Sequence, residues 1–156
     1  RSRGLGDVYK RQLFCFDFIN IMSYDKFTPT GAAGEHSPYL TAVSELLYWK
    51  TSRGYPAERI VLGLPFYGYC WGAGCDKKYP TYRDLVNTVP ASIDTDYIVE
   101  SDYTISHNTQ ATIARKVELG KDYGGVMIWE LSQDKQGELS LMKTIKDTLA
   151  LEPSSP

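Results

Sequence analysis

The sequence predicts an α/β fold, a portion of a (β/α)8 barrel carrying a short α/β excursion after one of its strands. Three observations lead there. Strand and helix patterns alternate along the chain, which builds right-handed βαβ units. The strands are apolar and β-branched, as in a buried parallel sheet. Each strand also ends in a cluster of aromatic and polar residues, and in a barrel those C-terminal ends converge on one site. A doubly wound sheet has the same element order, but no Gly-x-Gly-x-x-Gly or Walker-type loop follows any strand. A complete barrel needs about 250 residues, so a chain of 156 residues accommodates only part of one.

Residues 1–12, RSRGLGDVYKRQ, carry four basic residues and one acid and give way abruptly to an apolar run. This segment reads as a non-native, adapter-like junction, with the native N-terminus and any leader expected upstream. Residues 13–150 then form the partial barrel, and 151–156 a tail or linker.

The run LFCFDFINIM, residues 13–22, suits a strand buried on both faces and ends in the polar group SYD. A Gly/Pro-rich loop over 26–38 leads to a helix over 37–53, with Ser37 as N-cap, Pro38 in its first turn, and Gly54 at its end. Its apolar positions are Leu40, Val43, Leu46, Leu47 and Trp49. A second strand covers 59–68. Residues 72–100 are the least regular stretch, with a short helix over 82–87 and strand-like pieces at 97–99 and 103–106, read as an excursion on the barrel mouth. A helix over 109–121, a strand in GGVMIWEL at 124–131 and a helix over 137–149 complete the pattern.

Composition narrows the function. The net charge of -2 implies no broad attraction to nucleic acid or anionic membrane, and no run of about 18 apolar residues is present to span a bilayer. Twelve Tyr, five Phe and three Trp supply flat faces for stacking on sugar rings. The two His and three Cys show no zinc-site spacing, so neither metal nor cofactor is expected. Cys70 and Cys75 flank the turn WGAG and are placed to close a small loop in an oxidising compartment; spacing alone does not decide whether they are bonded.

Three segments carry a family resemblance. NIMSYD at 20–25 resembles the sixth-strand Met-x-Tyr-Asp motif of family 18 glycoside hydrolases, the chitinase-like enzymes. IVLGLPFYGY at 60–69 resembles their seventh-strand Gly-x-Pro-Phe-Tyr-Gly segment, and GGVMIWELSQD at 124–134 their eighth strand with its tryptophan. The lead-in YTISHNTQATIARKVELG is similar to the usual approach to that last strand. In order and suitably spaced, these motifs cover nearly the whole chain after residue 12. They imply the C-terminal portion of the barrel, about strands six to eight, with the excursion after the seventh.

The resemblance implies hydrolysis of β-1,4-linked N-acetylglucosamine polymers by a retaining mechanism in which the substrate's acetamido oxygen attacks the anomeric carbon. Tyr24 matches the tyrosine that holds that oxygen, and Asp25 a carboxylate that hydrogen-bonds sugar at or beyond the cleavage point. Met22 is an apolar wall beside them or a core residue. Trp129 matches the floor under the reacting sugar, and Tyr67 and Trp71 line the groove. Tyr69 stands where the family often has Arg, so no charged contact is carried over there. Glu130 follows Trp129, and strand alternation sends it to the opposite face, toward a structural salt bridge.

The family's Asp-x-x-Asp-x-Asp-x-Glu signature, which holds the general acid, does not occur in these residues. Its nearest imitation, DTDYIVE at 94–100, has Ile98 where the Glu should stand and reads as a solvated excursion. The chain alone is therefore expected to be inactive and poorly folded, with open barrel edges. The short excursion predicts a shallow, open groove suited to endo-type cleavage. A chitin-binding lectin with a substituted acid and an endo-N-acetylglucosaminidase acting on N-glycans remain as alternatives. Chitin or chito-oligosaccharide is the expected partner, the complete protein is expected to be monomeric, and its expected location is secreted, extracellular or periplasmic.

Overall fold

The computed structural model describes residues 15–150; the segment 1–12, the first two residues of the predicted 13–22 strand and the tail 151–156 lie outside the described residues. Strand β1 (Ile19–Ile21) is followed by helix α1 (Tyr39–Leu47) and strand β2 (Ile60–Pro65). The intervening unit contains β3 (Tyr69–Gly72), α2 (Tyr82–Thr88), β4 (Tyr97–Val99) and β5 (Tyr103–Ser106). Helix α3 (Gln110–Lys121), strand β6 (Val126–Trp129) and helix α4 (Leu141–Ala150) close the order.

Strands β1, β2 and β6 form a parallel sheet in that order, with β2 in the middle. Ile60, Leu62 and Leu64 of β2 alternate onto one face and are fully buried with Ala42 and Leu46 of α1, Ile113 and Val117 of α3, and Leu141 and Ile145 of α4. Each of the Ile, Leu and Val side chains among them contributes about 1.5–3 kcal/mol of burial. The opposite face carries Gly63, paired in register with Met127, and Pro65, paired with Trp129. Side-chain alternation thus separates a helix-covered face from the one bearing the candidate site.

The predicted strand over 13–22 is corrected to three residues, and its burial on both faces is not observed: Phe16 and Phe18 are exposed. β1 is an edge strand, and the segment of its partner preceding Ile60 is a 3-10 turn, Ala57–Arg59, which offers no ladder for residues 15–18. In α1 the predicted Ser37 cap is not formed. The N-cap is Pro38, and Ser37 instead donates its hydroxyl to the Ser23 carbonyl. Leu40 and Leu47, seven apart on one helix face, are exposed, while Ala42 and Leu46 face the core. After Leu47 the helix widens into a π turn, Tyr48–Ser52, and Gly54 ends it at φ 65°.

Predicted bounds for α2, β4, β5 and α3 agree with the observed ones within a residue or so. Thr81 and Asp84 cap α2 reciprocally, and Thr109 caps α3. The last helix starts later than predicted, at Leu141, with Gly137 in a left-handed backbone at φ 87° and Asp134 capping the helix start. Its carboxylate accepts from the Leu141 and Met142 amides and the Ser140 hydroxyl.

The excursion is more regular than its sequence suggests. β3, β5 and β4 form an antiparallel sheet in that order, with Tyr69 opposite Ser106 and Tyr97 opposite the same residue. Cys70, Leu85, Ile98 and Ile105 make a small core of its own, and Cys70 is disulfide-bonded to Cys75. It is an α+β unit, with β3 the strand that periodicity did not distinguish from the end of β2. Gly68 makes the corner between them: a Cβ there would lie 2.6 Å from the Ser106 carbonyl oxygen.

Candidate active site

The C-terminal ends of β1, β2 and β6 lie at one end of the parallel sheet and present residues 22–25, 66–69 and 129–130. Tyr24 is buried with its ring over β2, where Gly63 leaves room: a Cβ at Gly63 would lie 2.8 Å from the Tyr24 Cε1. Burial, and then the negative charge of Asp25, push the Tyr24 hydroxyl above its ordinary pKa, so it is a proton donor throughout the neutral range.

Asp25 takes a left-handed backbone, φ 62°, a conformation that Asp tolerates better than most residues. Its Oδ1 accepts hydrogen bonds from the Tyr67 hydroxyl at 2.5 Å and the Tyr69 hydroxyl at 2.7 Å. Tyr67 and Tyr69 are two residues apart, the spacing that turns side chains to the same side. Partial burial pulls the Asp25 pKa up, but His36 and the two hydroxyls pull it further down, to about 2. His36 Nδ1 stands 3.9 Å from Oδ1, outside hydrogen-bond reach, so the tyrosines are the direct partners. Both tyrosine hydroxyls are in turn raised, by burial first and then by the carboxylate they bond.

Behind this clamp lies a buried polar cluster. The His36 ring is fully buried and packs on Tyr67 and Tyr69 at 5.2 and 5.0 Å between centroids. Burial lowers its pKa, keeping the imidazole neutral at pH 7. Lys116 of α3 is also fully buried and donates to the Ser37 carbonyl at 2.6 Å, the Ser37 hydroxyl at 2.7 Å and Asn108 Oδ1 at 2.7 Å. Its pKa falls to about 7, chiefly through burial. The His36 amide donates to Ser106 Oγ, so α3, the loop before α1 and the end of β5 meet at this point.

Trp71 does not point freely into a groove. Its Nε1 donates to the Thr28 carbonyl at 3.1 Å, and its ring lies edge-on to Tyr69 at 6.0 Å, tying the α+β unit to the loop after β1. Trp129 is 57% exposed at the end of β6, on the face of Pro65, and Met22, after the edge strand β1, is 66% exposed. Among the described residues neither joins the tyrosine clamp by a hydrogen bond or ring contact.

Two acids need correction. Glu130 makes no salt bridge among the described residues; it is exposed and accepts from the Ser132 hydroxyl, and the Trp129–Glu130 peptide is cis. In the 94–100 stretch, Asp96 is not merely solvated: Oδ1 accepts from the Thr109 amide and Oδ2 from the Thr112 hydroxyl, fastening the start of α3.

Sequence reasoning missed Tyr69 as an Asp25 partner, and His36 and Lys116 altogether. The two-residue spacing of Tyr67 and Tyr69 was a usable signal. Nothing local marks Lys116, which lies 79 residues from its partner Ser37. No group of three or more His, Cys, Asp or Glu able to hold a metal occurs among the described residues. No helix there is long and apolar enough to cross a membrane.

The parallel strands and their helices are those of part of an α/β barrel, whose strand ends gather tyrosines, an exposed tryptophan and the Asp25 carboxylate. The profile of Glycosyl hydrolases family 18 matches residues 6–134, and the chain belongs to that family. Chitinase 1 of Aphanocladium album is 29% identical, over 89% of this chain and 41% of that protein. The crystal structure of the GH18 chitinase ChiB from the chitin utilization locus of Flavobacterium johnsoniae is 34% identical, with a TM-score of 0.79, over 95% of this chain and 47% of that one. A class V chitinase from Nicotiana tobaccum, solved in complex with NAG4, shares the fold at a TM-score of 0.72 and 22% identity, over 86% of this chain and 49% of that one. The chain thus spans less than half the length of these relatives.

Proposed function

We propose that this chain is the C-terminal part, about strands six to eight, of a chitinase that hydrolyses β-1,4-linked N-acetylglucosamine polymers by a substrate-assisted retaining mechanism. The observation that carries the reading is the joint placement of Tyr24 and Asp25 after β1 and of Trp129 at the end of β6, at the same end of the parallel sheet of a family 18 fold. In this mechanism the acetamido oxygen attacks the anomeric carbon while the glycosidic oxygen takes a proton from a carboxyl group supplied by another part of the protein; water then opens the cyclic intermediate. Tyr24, held protonated, donates to the acetamido carbonyl oxygen. Asp25 accepts a hydrogen bond from sugar at or beyond the cleavage point. Trp129 and Met22 offer apolar surface to the ring faces, while Tyr67 holds Asp25 and Trp71 fixes the adjoining wall.

Chitotetraose hydrolysis by the complete protein tests this reading. Tyr24→Phe is expected to lower kcat about 10- to 100-fold with a small change in KM, because the lost donor acts chiefly in the transition state. An unchanged kcat would remove Tyr24 from the role. The 156-residue chain alone is expected to show no turnover. Binding of chitotetraose without hydrolysis by the complete protein would favour the lectin, and release of glycans from a glycoprotein but not from chitin would favour the endo-N-acetylglucosaminidase. Export to an oxidising compartment is supported by the Cys70–Cys75 disulfide; recovery of the native protein with both thiols reactive to maleimide would count against it.

A further inference from the structure

Tyr24 and Asp25 are held by two hydrogen bonds that bracket them in the chain. The Ser37 hydroxyl donates to the carbonyl of Ser23, the residue before the pair, at 2.6 Å. The amide of Lys26, the residue after it, donates to the His36 carbonyl at 3.0 Å. The position of residues 36 and 37 therefore sets that of Tyr24 and Asp25. Asp25 stands in a left-handed backbone at φ 62°, a conformation that the surrounding structure must maintain.

Residues 36 and 37 are fastened in turn by α3. Lys116 directs its ammonium donors at the Ser37 carbonyl, Ser37 Oγ and Asn108 Oδ1, at 2.6, 2.7 and 2.7 Å. Asn108 Nδ2 donates to the same Ser37 carbonyl at 3.0 Å. Ser37 Oγ thus accepts from Lys116 and donates to Ser23, one continuous path from the helix to the end of β1. Ser23, Ser37, Asn108 and Lys116 are all buried. Burying an ammonium is costly, and an aliphatic side chain of similar length would fill the space without that cost. What an aliphatic side chain would lack is the set of directed bonds, and a fully satisfied buried network is rigid. We propose that Lys116 is a positioning residue of the active site, acting through Ser37 to fix the segment from Ser23 to Lys26 and so the geometry of Tyr24 and Asp25. Being fully buried, it touches no sugar. Its effect on turnover rests on the chitinase reading above.

The test joins kinetics and titration of the complete protein. Lys116→Met and Ser37→Ala are each expected to lower kcat on chitotetraose about 5- to 10-fold, since small displacements of a reacting group's partner are costly in rate. On a Tyr24→Phe background the same substitutions should lower kcat by less than about threefold, because the hydroxyl they position is gone. A general loss of stability would instead lower kcat equally on both backgrounds; that result would overturn the proposal, as would an unchanged kcat in both single variants. The second readout needs no turnover. In Ser37→Ala the Asp25 pKa is expected to rise from about 2 toward 3.8 in a carboxyl-carbon NMR titration, because Asp25 shifts away from the Tyr67 and Tyr69 hydroxyls. Ser37→Ala removes a single hydroxyl and carries both readouts if Lys116→Met does not fold. Should the unsubstituted protein leave chitotetraose uncut, the chitinase reading falls and the Asp25 titration alone decides the positioning role: a rise supports it, and a pKa still at about 2 overturns it.

Discussion

Asp25 is an ionised carboxylate with the His36 ring 3.9 Å away, and two tyrosines direct both hydroxyl dipoles at one of its oxygens. Removing one donor should show directly: Tyr69→Phe is expected to raise the Asp25 pKa from about 2 toward its ordinary value of 3.8, read by carboxyl-carbon NMR titration. Because the folded pKa is the lower one, this group's contribution to stability is present above the ordinary value and is lost as pH falls through about 2. A second residue with a pH signature is Lys116. Its folded pKa of about 7 lies below the ordinary 10.5, so between those values the unfolded chain binds more protons and stability rises with pH. In Lys116→Met that rise should flatten in denaturation experiments repeated across the window; a persisting slope would place the titration elsewhere. The placement of Tyr24, Asp25 and Trp129 at strand ends was legible in the sequence because each sits inside a short motif. Lys116 and His36 were not, because their significance lies in burial created by distant segments.

Strands and helices were legible where their partners are near in sequence or their caps are explicit. The Thr81–Asp84 capping box marks α2, and Thr109 marks α3. The strand over 13–22 was overread because apolar content announces a strand but not the ladder that must receive it. At β2, Gly63 has a role that composition does not reveal, since it is the space into which the Tyr24 ring fits. Gly63→Ala should destabilise the fold by about 1–3 kcal/mol through overpacking and weaken oligosaccharide binding, as measured by chemical denaturation and fluorescence titration; intact binding would show that Tyr24 tolerates displacement. Asp96→Ala should cost about 1–2 kcal/mol by leaving the first turn of α3 without its carboxylate, with the loss appearing as faster amide exchange there.

The molecule as described is a three-stranded parallel sheet covered by helices on one face, joined to an antiparallel unit with a core of its own. Its edge strands β1 and β6 and exposed apolar residues such as Phe18, Leu40 and Met142 are surfaces of the kind a soluble monomer covers. The isolated chain is therefore expected to self-associate in sedimentation experiments, whereas the complete protein should sediment as a monomer. The sequence by itself determined the family, the alternation of strand and helix and the residues at the strand ends, because motif identity and hydrophobic period are local properties. Only the tertiary structure decided that the excursion is an antiparallel sheet, that Tyr67 and Tyr69 share one oxygen of Asp25, and that Lys116 is buried. Hydrogen bonding and desolvation depend on which distant segments meet, and no local pattern encodes that meeting.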